Sequence, residues 1–320
     1  MRKYTIVPIT VISPNEEYKL IQKKFAIYNN ELFKYSFFNQ YYNSIMPETF
    51  FIDLEKRIVL MEDLNVKYFP GFCYDEDNKN GNIFRKNLIK IISGIARFHG
   101  IFWENYKAFK QIGLDRRLEN IENLNEYINA IERDFRKYRN KEKTGKIPKE
   151  WKFDGYTFEN KIDMENLEYF QTAIEILRQE YIKYIDKRFN KGKNITIIHG
   201  DLHPGNTFVS LSKDRNIKFI DFEAVRIGLC TEDLAMFLAL HIESNQKNVK
   251  PLLEHYYNCL CERVKGYTFD NFIDDYKISV MENMFFTIRL INRGIFDFNM
   301  RDKAINAFET LILNKNMNSS

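Results

Sequence analysis

The stretch Ile195–Ala224, ITIIHGDLHPGNTFVSLSKDRNIKFIDFEA, constrains this chain more than any other. Two short apolar runs, Ile195–Ile198 and Ile217–Ile220, each end in a carboxylate-bearing loop. The first loop is His199-Gly200-Asp201-Leu202-His203-Pro204-Gly205-Asn206 and the second is Asp221-Phe222-Glu223. Between them lie a β-type run, Thr207–Ser210, and a polar turn at Ser212–Asn216. Short β-branched runs punctuated by such turns spell strand–loop–strand, turn, strand–loop. Gly200, Pro204 and Gly205 supply the tight backbone that a loop between short strands requires.

Phosphoryl transfer explains these residue types at this spacing. The reaction needs a base to orient the attacking hydroxyl and a metal to hold and neutralise the phosphates. Mg²⁺ takes oxygen ligands, usually one or two carboxylates completed by phosphate and water. Asp201 can serve as the base. Asn206, five residues on, can turn an amide oxygen to Mg²⁺, and Asp221 can hold the metal from the end of the next hairpin. Asp–x4–Asn, then a strand and Asp-Phe, is the catalytic-loop and metal-loop pattern of the protein-kinase-like fold. HGDLHPGN followed by IDFE resembles the aminoglycoside phosphotransferase/choline kinase superfamily, including bacterial small-molecule kinases and the spore-coat proteins that share their fold.

The resemblance implies an α+β, bilobal protein-kinase-like fold. A small β-rich, nucleotide-binding lobe would occupy residues 1–64, and a large, mostly helical lobe for catalysis and acceptor binding residues 65–320. It also implies Mg²⁺-dependent transfer of the γ-phosphate of ATP or GTP to a small-molecule hydroxyl. Asp201 would be the catalytic base, with Asn206 and Asp221 as metal ligands. Glu223 is either a second metal ligand or a surface acid, and His203 either contacts the phosphates or braces the loop.

In residues 1–64 the pattern predicts strands at Thr5–Ile12, Glu17–Phe25, Met46–Phe51 and Arg57–Met61, with a helix over Asn29–Tyr42. The family's N-lobe pairs a strand lysine with a helix glutamate, and the lysine reaches the phosphates. That implies Lys23 or Lys24, with Lys23 preferred because the family's strand places its lysine after two or three apolar residues. The glutamate would be Glu31. Strand alternation leaves both lysines open: Ile21, Lys23 and Phe25 share one face, and Leu20, Gln22 and Lys24 the other. Met61-Glu62-Asp63-Leu64 resembles the hinge, whose backbone groups at Glu62–Leu64 would meet the adenine edge. One departure stands out: no glycine precedes Gly71, whereas a kinase-like lobe opens with a glycine-rich phosphate cover. Either the first hairpin is abbreviated or Pro8–Pro14 forms a different cover.

Residues 65–85 read as a polar connection and Ile83–Asn105 as an amphipathic helix. Ile95–Trp103 resembles the family's LAxxHxxxW helix, with His99 bonding the catalytic-loop backbone. Leu118–Tyr138 and Asp163–Phe189 read as charged helices joined by a loop at Asn140–Asn160. Thr231 can cap a helix to His241, within which Asp233-Leu234-Ala235 resembles the family's DLA, a structural aspartate anchoring the catalytic loop. Val249–Gly266 and Phe269–Ile295 carry helical periodicity. Phe285 and Phe286 read as core, with a partial aromatic cage for an amine as the competing reading.

Composition bounds the remaining classes. The chain has 320 residues, 44% hydrophobic, enough for a sizeable core. Its net charge of +4 is spread among interspersed acids and bases, which does not suggest a nucleic-acid partner. No run approaches a membrane span, and MRKYTIVPITVI lacks the length and cleavage site of a signal peptide. Cys73, Cys230, Cys259 and Cys261 show no metal spacing, so reduced thiols in a cytoplasmic protein are expected. The competing class is a kinase-fold structural component, of spore-coat type, with weak or no catalysis. Neither the identity of the acceptor nor the oligomeric state is legible in the residues.

Overall fold

The computed structural model describes residues 4–12, 17–25, 30–41, 45–70, 82–112, 121–153, 156–162, 164–181, 188, 192–211, 217–242 and 246–313. The chain begins with strands β1 (Tyr4–Ile12) and β2 (Glu17–Phe25), helix α1 (Asn30–Tyr41), and strands β3 (Thr49–Asp53) and β4 (Ile58–Glu62). The four strands form one antiparallel sheet in the order β1-β2-β4-β3. Val59 and Met61 of β4 are buried beside β2, whereas β1 is an exposed edge with Ile6, Val7, Val11 and Ile12 open to solvent. Lys19 O and Phe25 N bond toward the β4 side. Even-numbered residues of β2 therefore face β1, and Pro8, opposite Ile21, turns its missing N–H to the open edge. A proline there blocks pairing with another strand.

The two faces of β2 differ as alternation requires. Lys23 and Phe25 are buried while Lys24 is exposed; Leu20, on the other face, is buried as well. Cross-strand partners share a face, so Ile6 and Val59 flank Lys23, and Pro8 and Met61 flank Ile21.

Helix α1 is apolar on more than one side, and such a helix must be covered. Leu32, Tyr35, Phe37 and Phe38 are each at most 3% exposed. Phe38 meets Phe98, Phe102 and Phe222 at ring distances of 5.9, 5.7 and 4.9 Å. The helix is thus the plug between the sheet lobe and the rest.

A short 3₁₀ turn, Leu64–Val66, leads into β5 (Tyr68–Pro70), α2 (Asn82–Phe102), α3 (Tyr106–Ile112) and α4 (Ile121–Lys143). A two-stranded hairpin, β6 (Glu150–Phe153) and β7 (Tyr156–Glu159), precedes α5 (Met164–Ile176). Strands β8 (Thr196–Ile198), β9 (Thr207–Ser210), β10 (Ile217–Phe219) and β11 (Arg226–Gly228) follow. The chain then turns helical, as α6 (Cys230–His241), α7 (Gln246–Cys261), α8 (Phe269–Asn292) and α9 (Phe298–Phe308). β9 pairs with both β10 and β5, and β8 pairs with β11. In α6 every residue from Cys230 to Leu240 is buried. α8 packs against α4, α6 and α9 as the centre of this lobe. α2 lies so close to β10 that a Cβ on Gly94 would stand 1.8 Å from Ile217 Cδ1.

Several expectations shift. The connection after residue 64 contains β5, because Tyr68–Pro70 finds Phe208–Ser210 to pair with. α4 continues to Lys143, into the loop expected at Asn140–Asn160, and that loop contains the β6–β7 hairpin. α5 ends at Ile176 in a π-turn, Leu177–Tyr181. The helix expected from Thr231 starts at Cys230. Its cap is Leu229, whose N–H donates to Glu232 at 2.9 Å, and the Thr231 hydroxyl bonds Ser279 instead. The helix expected to reach Ile295 stops at Asn292, and α9 follows as a separate helix. The turn expected at Ser212–Asn216 lies outside the described residues.

Candidate active site

The loop after β8 is held from beneath by Asp233. Its carboxylate accepts the His199 N–H at 2.6 Å, the Gly200 N–H at 2.8 Å and His99 Nε2 at 3.0 Å. Burial alone would raise the Asp233 pKa. The bond and charge of His99, the charge of His199 and the Gly200 amide outweigh it and hold the carboxylate below its usual range. His99 is fully buried, and its Nδ1 pairs with the Tyr256 hydroxyl at 2.6 Å. Its side chain therefore reaches the catalytic loop through Asp233, not by bonding the loop backbone as expected. Its carbonyl accepts the Thr196 hydroxyl at the end of β8.

Gly200 has φ +80°, and a Cβ there would lie 2.3 Å from the Ala224 carbonyl oxygen. The catalytic and metal loops touch at this point. Arg226 spans the junction, with Nη2 on Glu232 at 2.7 Å and Nη1 at 3.4–3.5 Å from the Ala224 and Gly200 carbonyls. His199 adds a second tie, donating from Nε2 to the Ile220 carbonyl at 2.8 Å. Burial lowers the His199 pKa, and Asp233, Asp201 and Asp221 all act on it in the opposite direction.

Asp201 follows Gly200 and is partly exposed. The Asn206 side chain donates from Nδ2 to the Asp201 carbonyl at 2.8 Å, which presents Oδ1 as its acceptor end. The Asn206 carbonyl accepts the Ile220 N–H at 3.1 Å, so Asn206 and Asp221 are one backbone bond and one residue apart. His203 is partly occupied in shaping the loop, since its Nδ1 accepts the Gly205 N–H at 3.1 Å.

Asp221 is left-handed, φ 62° and ψ 63°, and opens the 3₁₀ turn Phe222–Ala224 with no side-chain cap. That conformation costs a residue with a Cβ roughly 1–2 kcal/mol. The buried Phe222 ring secures it among Phe38, His199 and Tyr35, at ring distances of 4.9, 5.2 and 5.7 Å. The Tyr35 hydroxyl lies against both the Asp221 backbone and the Glu31 carboxylate.

Lys23 Nζ meets Glu31 Oε1 at 2.5 Å in a buried ion pair, with the Tyr4 ring 3.9 Å from the ammonium. Burial raises the Glu31 pKa, Lys23 opposes that, and Asp221 and Glu223 add to it; the pair thus sits close to the metal loop. Lys23, Glu31, Asp201, Asn206 and Asp221 converge here. Glu62 and Leu64 lie at the end of β4. The Glu62 N–H is already given to Glu48 O, and its carboxylate takes the Glu48 N–H at 2.7 Å and stands 3.8 Å from Lys218 Nζ. Its carbonyl and the Leu64 N–H are what remain at this edge.

The donor set of Asn206 and Asp221 is all oxygen, as a hard divalent ion prefers. Among the described residues no three His, Cys, Asp or Glu side chains gather as a metal group. An ion completed by phosphates and water does not need three. Cys230, Cys259 and Cys261 are free thiols, and Cys73 lies outside the described residues.

Beside Gly200 opens a cavity of about 370 Å³ that residue patterns alone did not reveal. Its walls include Arg226, Glu232 and Met236, Tyr127 of α4, and Glu282, Asn283, Phe286 and Arg289 of α8. Phe285 is core, and the neighbouring Phe286 faces the cavity. Glu282 accepts the hydroxyls of Tyr127 and Tyr181 at 3.0 and 2.8 Å. The helical periodicity of Phe269–Ile295 was legible, but which helix stands opposite this face was not.

Residues 121–265 match the model of a family described as the phosphotransferase enzyme family. No curated protein sequence matches significantly. The fold is similar to that of a choline kinase from Streptococcus pneumoniae, at 15% identity and TM-score 0.50, over 95% of this chain and 89% of that one. It is also similar to the GDP complex of aminoglycoside 2'-phosphotransferase-IIIa, at 10% identity and TM-score 0.53, over 95% and 88%. The class these observations define is the α+β, bilobal protein-kinase-like fold, with a small sheet lobe and a large helical lobe. Within it, residues 121–265 are similar to the phosphotransferase enzyme family. Among the described residues no helix is long and apolar enough to cross a membrane.

Proposed function

We propose that this protein transfers the γ-phosphate of ATP or GTP to a hydroxyl of a small polar molecule. The observation that carries the reading is the convergence of Asp201, Asn206 and Asp221 on loops tied to each other, beside the Lys23–Glu31 pair. The nucleotide base would lie under the sheet face of Ile6, Ile21 and Met61, against the Glu62 carbonyl and Leu64 N–H. Lys23, oriented by Glu31, would reach the phosphates. Asn206 Oδ1 and the Asp221 carboxylate would hold Mg²⁺, which supplies charge neutralisation on the transferring phosphoryl group.

The acceptor would occupy the cavity beside Gly200, and its hydroxyl would meet the Asp201 carboxylate. Asp201 orients that hydroxyl and accepts its proton as the oxygen attacks in line. The cavity is at the small end of ligand sites, and Glu232, Glu282, Arg226 and Arg289 favour a polar occupant. Nothing in the site calls for nucleic acid or a membrane, and a cytoplasmic setting suits free nucleotide and free thiols.

A second reading, a kinase-fold structural component with weak or no catalysis, draws on one feature: among the described residues a single strand, β1, precedes the lysine strand. Thermal shift with Mg·ATP and Mg·GTP separates the two. A ligand at a hundredfold its Kd adds about 2.7 kcal/mol, a rise of several degrees. A Mg²⁺-dependent rise that disappears in Asp221→Asn is the expected result. No rise with either nucleotide at millimolar concentration refutes the kinase reading.

A further inference from the structure

Lys34 stands on α1 one turn after Glu31, 7% exposed, among inward-facing aromatic residues. An ammonium is an expensive group to bury, and burial pulls its pKa down to about 8. A Leu or Met would fill the same space without that cost. Beyond its charge attraction to Glu223 and Glu31, what the lysine contributes is one directional bond: Nζ donates to the Glu223 carbonyl at 2.6 Å.

That carbonyl lies in the turn Phe222–Ala224, whose first flank is the left-handed Asp221. Asp221 has no side-chain cap bond of its own. Ring contacts from Tyr35 and Phe38 fix how deeply Phe222 is seated, but such contacts tolerate rotation of the backbone. A bond from a buried cation to a single carbonyl does not, because rotating that peptide would strand the ammonium. α1 therefore grips the nucleotide site twice from one rigid helix: Glu31 holds Lys23, and Lys34 holds the turn that aims Asp221.

We propose that Lys34 is a positioning residue for Asp221, holding the metal-loop turn in the orientation that the Asp221 carboxylate needs to bind Mg²⁺ with nucleotide. The link to Mg²⁺ rests on the reading of the site given above; the hold on the turn does not.

The test compares the full chain with Lys34→Met and Lys34→Arg. The first readout is amide hydrogen exchange without metal or nucleotide. Loss of a buried charged bond should speed exchange at residues 221–225 about tenfold in Lys34→Met, with α2 and α8 unchanged. Lys34→Arg, which keeps a donor, should stay near wild type. The second readout is the Mg²⁺ concentration giving a half-maximal thermal shift with ADP, which should rise about tenfold in Lys34→Met and recover in Lys34→Arg. Unchanged exchange in the turn, or an equal rise across the whole lobe, overturns the proposal. So does faster exchange in the turn with an unaltered Mg²⁺ requirement, since Asp221 would then be aimed without Lys34. A wild-type protein with no Mg²⁺-dependent shift at all overturns the nucleotide reading instead. The metal-free exchange tells that failure apart.

Discussion

Removing the Asp233 carboxylate, which also lines the cavity beside Gly200, should loosen the loop after β8. Asp233 is 1% exposed, and its oxygens serve three donors: His199 N, Gly200 N and His99 Nε2. Asp233→Ala strands all three at a buried position. Each stranded donor costs about 1–3 kcal/mol, so a loss of about 3–9 kcal/mol is expected from the three, less whatever a trapped water restores. Asp233→Asn is the sharper variant. Its oxygen can keep the His199 and His99 bonds, but its NH₂ then faces the Gly200 N–H, donor against donor. A loss of about 2 kcal/mol is expected for that one conflict. The sign of the pH effect follows from the depressed carboxylate. Its contribution is present above the unfolded value near 3.8 and is lost as pH falls through the lower folded value. Urea unfolding followed by circular dichroism at pH 7 and at pH 3 measures both effects, and Asp233→Asn should flatten the acid limb. A loss below about 1 kcal/mol for Asp233→Ala at pH 7 would refute the claim that these bonds hold the loop.

Two further outcomes follow from the same region. Gly200→Ala places a Cβ 2.3 Å from the Ala224 carbonyl at φ +80°; it should lose about 2–4 kcal/mol in urea unfolding, and wild-type stability would contradict the close approach of the two loops. His241, partly exposed, has its pKa pushed down to about 3, first by burial and then by His203 and Lys303. Its neutral ring should lose stability as pH falls from about 6.5 toward 3, by at most ~1.4 kcal/mol per unit. His241→Gln should lose less between pH 7 and pH 5 than wild type, and equal losses would rule the residue out as the source.

The loop after β8 and the turn after β10 were readable because their residue pattern is local. Turn residues at Gly200, Pro204 and Gly205 and the Asp–x4–Asn spacing are set within a few residues, whatever else the chain does. Strand β2 was readable as a strand, and its alternation narrowed the lysine to two faces. Which face is inward was decided by Phe25 and by β4, which cover the Lys23 side and leave Lys24 in water. Elements made by distant partners were not legible. β5 and β11 are three residues each, too short to show a period, and exist because β9 and β8 offer them a ladder. His99 illustrates the same limit at a single side chain: its helix was visible, but its partner Asp233 lies 134 residues on.

The residues alone thus determined the chemistry on offer, an aspartate, an amide and a second aspartate on two tight loops, because short-range turn geometry and residue type are written in consecutive positions. Tertiary structure decided how those groups are held and what they face. α1 is an aromatic helix that must be buried, and burying it against Phe222 brings Glu31, Lys34 and Tyr35 to the metal loop. α8 closes the cavity beside Gly200 because α4 and α6 pack on its flanks. Burial energy is indifferent to sequence distance, so these placements follow from how the whole chain hides its apolar surface and not from any one stretch of it.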